Sequence, residues 1–259
     1  MLKQVGKEYL WSDQNVWIHG HEWYSHYDQT GGNAISFVIK YFGKSFRDAV
    51  KELTGDTNNT NDNWARLSLP ERNKNSYRVF MYLQNKRGIA PEVIDYFLKR
   101  GLIYEEKQYH NCVFVGRDDN GWVQHCHKRA TISNFKQTIE GSKAEYSFHY
   151  NGWDDTIYAF EAPIDMLAYI SMHQECWKKH SYVALCSVSE KALMYQLITH
   201  PQLKRIILCL DNDKAGKIAT ERIRQLLCDN SYRDVTVKIP DNKDWDEDLL
   251  SRNQAHKNI

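Results

Sequence analysis

Apolar and polar positions along the chain change period twice. From Tyr9 to Gly32, aromatic and polar residues alternate in short runs around Val16–Ile18 and Trp23–Tyr27. This predicts short strands with turns at Gly20 and at Gly31–Gly32. After Asn33 the period lengthens: Ala34, Phe37, Val38 and Tyr41 recur at helical spacing, and Gly43 stops the helix. Ser45 can cap a second helix ending at Gly55, and the polar run 55–65 marks a domain boundary. Residues 77–86 read as a helix. Pro91 opens another that Gly101 closes, with Val93, Ile94, Phe97 and Leu98 on one face. NCVFVGRDDNGWVQHCHKRA reads as a hairpin turning at Asp118–Gly121, followed by an irregular stretch over 141–153. Beyond it, apolar strands within TIYAFEAP, SYVALCSV, KRIILCLDND and YRDVTVKIP are separated by helical segments. That alternation predicts a parallel sheet covered on both faces. Three units are expected: a small module over 1–56, an α+β unit over 66–150 and an α/β domain over 151–259.

Composition adds little until it is split along the chain. With 259 residues, 42% hydrophobic, 26% charged and 13% aromatic, the protein is a folded one of two or three domains. The net charge of +1 hides a basic middle. Residues 66–150 hold 14 Lys and Arg against 9 Asp and Glu, whereas residues 151–259 hold 14 against 16. This suits a backbone-binding surface beside a metal site, and equally an ordinary solvated face. All 6 cysteines fall at or after Cys112 with no CxxC pair, which points to buried free thiols in a reducing setting. MLKQVGKEYLW holds no signal-like apolar segment, and no run approaches the roughly 20 apolar residues of a membrane helix. A cytoplasmic location and no membrane association are expected.

Candidate chemistry concentrates in the last unit. Glu161 falls at the C-terminal end of its first strand, and Asp211 and Asp213 at the end of its third. Open α/β sheets bind ligands at that edge. Carboxylates gathered there need a shared cation, and Mg²⁺ (or Mn²⁺) prefers such oxygens. Alternate residues of an extended chain point the same way, so Asp211 and Asp213 suit one ion, and Ala215–Gly216 permit a tight entry into the next helix. A DxD pair can also be a surface loop of Asx turns; the apolar strand before it favours the metal reading. His19, His21 and His26 could bind zinc in principle, but histidines among tryptophans are more often packing residues, and zinc is not expected. His125 and His127 alternate with Cys126 and point to the opposite strand face, which argues against a joint site. Lys86, Arg87, Arg117, Lys128 and Arg129 are candidates for nucleic-acid backbone contacts, and Trp122 for base stacking. Each reads as well as an ordinary surface or packing residue.

FEAPIDMLAY, with Glu161, and ILCLDNDKAG, with Asp211 and Asp213, resemble two motifs of the Toprim domain, the catalytic fold of bacterial-type primases, topoisomerases and some nucleases. Asp165 stands where primases carry a further acid. Lys243-Asp244-Trp245-Asp246 resembles the segment after the last strand of primase-type members, which brings Asp246 near the site. The chain departs from the family in Ala162, where a glycine is usual, and in Cys186-Ser187-Val188-Ser189, where an Asn-Gly type turn is common. YLQNKRGIAPEVIDYFLKRGLIYE with NCVFVGRDDNGW is similar to the primase-related domain of unknown function that precedes Toprim in plasmid and transposon proteins. GGNAISFVIKYFGKSFRDAVKEL resembles the helical end of a primase zinc-binding domain, here without cysteine ligands.

The resemblance implies an α/β fold: a Rossmann-like parallel Toprim sheet, preceded by an α+β primase-like domain and a small zinc-finger-like module without zinc. It implies Mg²⁺-dependent phosphoryl transfer with Glu161, Asp211 and Asp213 as catalytic residues, and the ion held by these and Asp165. The expected reaction is primer synthesis on single-stranded DNA for a mobile element or plasmid. A Toprim nuclease, or a catalytically weak DNA-binding accessory protein of replication or mobilisation, is the alternative. Implied partners are single-stranded DNA or another nucleic acid, nucleoside triphosphates, and a replicative helicase or mobile-element replication protein.

Overall fold

A computed structural model describes residues 2–6, 8–20, 22–27, 30–44, 48–49, 52–53, 67–186 and 189–257. At the N-terminus β1 (Leu2–Val5), β2 (Glu8–Trp11), β3 (Val16–His19), β4 (Glu22–Ser25) and β5 (Thr30–Asn33) form an antiparallel meander in chain order. Helix α1 (Ala34–Phe42) packs on it through Phe37 and Tyr41, which meet Trp11 and Trp23 at ring-centroid distances of 5.2 to 6.0 Å. The Asn33 side chain caps the helix by accepting from the Ser36 N–H, and Gly43 ends it in the left-handed conformation. The expected turn at Gly31–Gly32 is corrected: both glycines lie within β5, opposite Tyr24 and Trp23. A Cβ on Gly31 would crowd the Trp23 carbonyl oxygen and one on Gly32 would overlap the Ser36 hydroxyl, so the glycines serve close approach, not a turn. Of the expected second helix, 48–49 and 52–53 are helical; its Ser45 cap, Gly55 and the boundary 55–65 lie outside the described residues.

In the middle, α2 (Tyr77–Met81) runs into a π-helical turn, Tyr82–Lys86, and α3 (Pro91–Lys99) follows. The strands β6 (Ile103–Glu105), β7 (Cys112–Arg117), β8 (Val123–Arg129) and β9 (Lys136–Thr138) form an antiparallel sheet, with the expected hairpin as β7–β8. Buried Glu105 accepts from the N–H groups of Arg78 and Val79, from Asn73 and from His110. It thereby satisfies the exposed donors at the start of α2.

The last sheet has the order β10-β12-β11-β13-β14. It comprises β10 (His149–Tyr150), β11 (Thr156–Phe160), β12 (Ser181–Ala184), β13 (Arg205–Cys209) and β14 (Val235–Val237). All pairs are parallel except β10 with β12. The stretch 141–153, expected to be irregular, therefore supplies an edge strand. Helices α4 (Pro163–Met172), α5 (Lys191–Thr199), α6 (Lys214–Asp229) and α7 (Trp245–Lys257) complete the unit. One sheet face shares a continuous core with the middle unit: Leu83, Ile94, Phe97 and Phe114 pack with Phe160, Met166, Tyr182, Trp245 and Leu249. Ile157, Leu193, Leu208 and Ile223 belong to the core of the other face. The shared core holds the hairpin beside the C-terminal strand ends. Among the described residues no helix is long and apolar enough to cross a membrane.

Candidate functional site

Strands β11 and β13 are adjacent and parallel, and Phe160 lies in register with Cys209. Both therefore end at one level, and Glu161 and the Leu210–Asp211 segment emerge side by side. Asp213 caps α6, its Oδ1 accepting from the Gly216 N–H at 2.9 Å. A Cβ on Gly216 would overlap the Asp211 carbonyl oxygen, so only glycine permits this tight return of the chain. Asn212 ties the acidic loop to the next one: its N–H donates to the Lys243 carbonyl at 2.7 Å and its amide to the Pro240 carbonyl at 3.1 Å. Trp245 Nε1 donates to the Cys209 carbonyl at 2.9 Å. These bonds bring Asp244, whose Oδ1 accepts from the Glu247 N–H at 2.9 Å, to the rim of the site.

The acids act strongly on one another. Burial, then the neighbouring charges of Glu161, Asp244 and Asp213, push the Asp211 carboxyl up to about 7, against a pull from Lys243. Burial and Asp213 also raise Glu161, opposed by Lys136 and Lys243. Glu161 Oε2 and Asp211 Oδ1 are buried without a hydrogen-bond partner. Buried acceptors of this kind are costly, and a cation would satisfy them. Among the described residues no three His, Cys, Asp or Glu side chains converge as a ready ligand set. Mg²⁺ keeps several waters and takes one or two carboxylates, so the residues present fit it.

Asp165 and Asp246 lie deeper. Asp165, in the first turn of α4, accepts from the Asp246 N–H at 3.4 Å, and burial followed by Asp211, Asp244 and Asp246 drives its carboxyl well above the usual range. Asp246 forms a largely buried ion pair with Arg87. Within Lys243-Asp244-Trp245-Asp246 it is thus Asp244 that acts on Glu161 and Asp211. The sequence reading passed over Asp244, although Asp244-x-x-Glu247 has the spacing of a helix-capping box.

Lys128 Nζ lies 3.6 Å from Glu106 Oε1, with both side chains mostly buried. Arg117 donates to the Gly121 carbonyl at 2.7 Å and the Gly101 carbonyl at 3.4 Å. Arg129 Nε is buried with no acceptor. Lys86 is exposed, and Trp122 is 71% exposed. Two lysines that act on Glu161, Lys136 of β9 and Lys243, were not singled out from sequence. His125 and His127 are buried, and burial pushes them down to about 3 and about 4, so both are neutral at neutral pH. Cys126 points to the other strand face, among Tyr104, Val113 and Val115. His19 pairs with Glu8 at 3.2 Å and His26 meets Tyr24 edge-on; His21, Ser187 and Val188 lie outside the described residues.

Residues 158–249 match a family model described as Toprim-like. The chain carries a Toprim-like domain. Residues 81–153, directly before it, match a family described as a protein of unknown function (DUF3991). An uncharacterized protein of Bacillus anthracis is 30% identical over 165 residues, 56% of this chain and 46% of that protein. An uncharacterized protein of Mycoplasma pneumoniae is 28% identical over 100 residues, 37% of this chain and 43% of that protein. The chain thus spans less than half the length of these two relatives. Among solved structures, the primase fragment of the bacteriophage T7 primase-helicase protein is similar with a TM-score of 0.56 at 21% identity, over 97% of this chain and 92% of that one. Primase domains bound to an RNA/DNA hybrid, from a bacteriophage T7 lagging-strand polymerase complex, give a TM-score of 0.52 at 25% identity, over 66% of this chain and 85% of that one. The Toprim-like domain and the unit before it therefore have the mixed α/β fold of a primase catalytic core.

Proposed function

We propose that the carboxylate edge is a divalent-metal site for phosphoryl transfer on nucleic acid, and that its reaction is primer synthesis on single-stranded DNA. The observation that carries this reading is the pair of buried, donor-less carboxylate oxygens, Glu161 Oε2 and Asp211 Oδ1, at the level ends of adjoining parallel strands. Asp211 and Asp213 would hold Mg²⁺ or Mn²⁺, with Glu161 beside them; a bound ion offsets charge developing on a reacting phosphate. Asp165, whose carboxyl burial and the neighbouring charge of Asp211 push well above the usual range, lies deeper than the rim acids. Glu161, whose carboxyl is raised by burial and by Asp213, is placed as a general base for an attacking hydroxyl within hydrogen-bond reach. Lys136 and Lys243 lie where they can draw phosphate groups toward the acids. Lys86, Arg117 and Trp122 remain exposed enough to touch a strand, whereas Arg87 and Lys128 are engaged with carboxylates.

The expected partners are single-stranded DNA, nucleoside triphosphates and a helicase or replication protein of a plasmid or other mobile element. The T7 relatives support this, one by its fusion to a helicase and one by its RNA/DNA hybrid. We read the chain as three functional units, 1–56, 66–150 and 151–259, the first keeping the place of a zinc module through aromatic packing without the metal. The test incubates the full chain with single-stranded DNA, nucleoside triphosphates and Mg²⁺ or Mn²⁺, beside labelled DNA for cleavage. Short RNA products that vanish in Asp211→Asn support the reading, and cleavage in their place makes the chain a nuclease. Neither product with either ion sinks the enzymatic reading and leaves a DNA-binding accessory protein.

A further inference from the structure

The carboxylates of the Toprim-like domain lie at two depths. Glu161, Asp211, Asp213 and Asp244 act on one another at the rim. Asp165 and Asp246 form an inner pair, each 6% exposed, joined by the Asp246 N–H on Asp165 Oδ1. Asp246 Oδ2 takes the Arg87 guanidinium, while its Oδ1 is buried without a donor. The groups facing Asp246 are Arg87, Arg129, Asp165 and Asp244.

Arg87 reaches Asp246 from the other unit, and a set of hydrogen bonds orients it. It follows the π-helical turn Tyr82–Lys86, and its N–H closes back on the Tyr82 carbonyl at 3.2 Å. Such turns often mark functional positions because they rotate one residue out of the helical register. Arg87 Nε donates to the Tyr82 hydroxyl at 2.9 Å, which orients the guanidinium. Gly88 follows with φ +69, and its carbonyl accepts from the Asn253 amide of α7 at 3.1 Å. The Ala90 N–H donates to Ser171 Oγ at 3.0 Å at the end of α4. Docking on both helices carries the guanidinium to Asp246.

A buried carboxylate with a like charge near it, as Asp246 has in Asp244, needs a positive charge beside it. A fixed guanidinium can supply it, and so can a divalent ion, but they compete for one place. We propose that Arg87 is a built-in counter-cation: it occupies the place beside Asp246 that a divalent ion would otherwise take. Metal binding is thereby confined to the outer carboxylates, and Arg87 acts as a positioning residue. This rests on the metal reading of the outer site.

The test counts Mn²⁺ bound per chain, by the paramagnetic resonance of free ion, in the full-length protein and its variants. Arg87→Met is expected to bind one more ion than the unaltered chain, and its lowered melting temperature to recover as Mn²⁺ is added. Arg87→Met with Asp246→Asn should return to the original number, and Arg87→Lys should never gain the extra ion. Asp246→Asn alone should keep the original number, because Asp246 is not a ligand; this variant decides the matter if Arg87→Met does not fold. A lower count in Asp246→Asn, or an unchanged count in folded Arg87→Met, overturns the proposal. An unaltered chain that binds no Mn²⁺ overturns the outer metal site instead; a gain of one ion in Arg87→Met would still uphold the counter-cation.

Discussion

The edge of the C-terminal sheet and the hairpin of the middle unit both carry charged residues that stand out in the sequence, yet they are built on different principles. At the sheet edge the side chains are short. Their positions follow from backbone register, Phe160 opposite Cys209, and from the caps of the next helices. On the hairpin and the turn before it the side chains are long, and they settle on the nearest opposite charge: Lys128 on Glu106, Arg87 on Asp246. A short acid inherits its place from the backbone, whereas a long base chooses among several.

If the edge is the functional half of this comparison, the largest effect comes from Asp211→Asn. It keeps the shape and removes the charge between Glu161, Asp213 and Asp244. Metal affinity should fall by about 100-fold or more, given that even residues supporting ligands are worth roughly 10- to 100-fold. Calorimetric titration with Mn²⁺ measures it, and an unchanged affinity would remove Asp211 from the ligand set.

Two glutamates with buried carboxylate oxygens sharpen the contrast between a satisfied acid and an unsatisfied one. Burial pushes Glu105 up, but hydrogen bonds from His110, Asn73, Val79 and Arg78 outweigh it and hold the carboxyl below its usual value. Glu105→Gln should cost about 1–3 kcal/mol, the range for a disrupted buried hydrogen-bond set. Glu161 has a donor-less oxygen and like charges around it, so Glu161→Gln should stabilise the metal-free chain while removing activity. Paired urea melts read both, and a stabilised Glu105→Gln or a destabilised Glu161→Gln breaks the distinction.

The same contrast explains what was legible in the sequence. The parallel sheet could be read because its strands are apolar on both faces, and the DxD and Glu161 because they close such strands. The strand His149–Tyr150 could not, since two residues at a sheet edge carry no period. Helix α7 could not either: WDEDLLSRNQAHK has no apolar stripe, and it is anchored by Trp245 and Leu249. Asp244 was missed because the motif drew attention to Asp246, whose partner Arg87 lies 159 residues away in the chain. Pairings of that range leave no local pattern.

A smaller effect follows from pH. Asp211 is raised to about 7 from its ordinary 3.8, so between those values the folded chain binds more protons than the unfolded one. Its contribution to stability is therefore full below about 4 and is lost as the pH rises through about 7. The melting temperature of metal-free protein should decline across that window more in the unaltered chain than in Asp211→Asn. Mg²⁺, which needs the deprotonated acid, should offset the decline at the upper end. A pH profile identical in the two proteins would remove Asp211 as its source.

The smallest effect tests the basic half. A lysine on phosphate releases a counterion, so each such contact adds about 0.7 to the slope of log affinity against log salt for single strands. Lys136 acts on Glu161 from β9 and is exposed, while Lys128 is turned to Glu106. Lys136→Ala should lower that slope by about 0.7, one single-strand contact, with little change in stability. Lys128→Ala should leave the slope unchanged and cost stability, because it strands Glu106 among buried groups. Fluorescence anisotropy with a single-stranded oligonucleotide at several salt concentrations separates the two. The reverse pattern would mean that the hairpin lysine leaves Glu106 when DNA arrives, and that the long side chains of the middle unit are read correctly only in its presence.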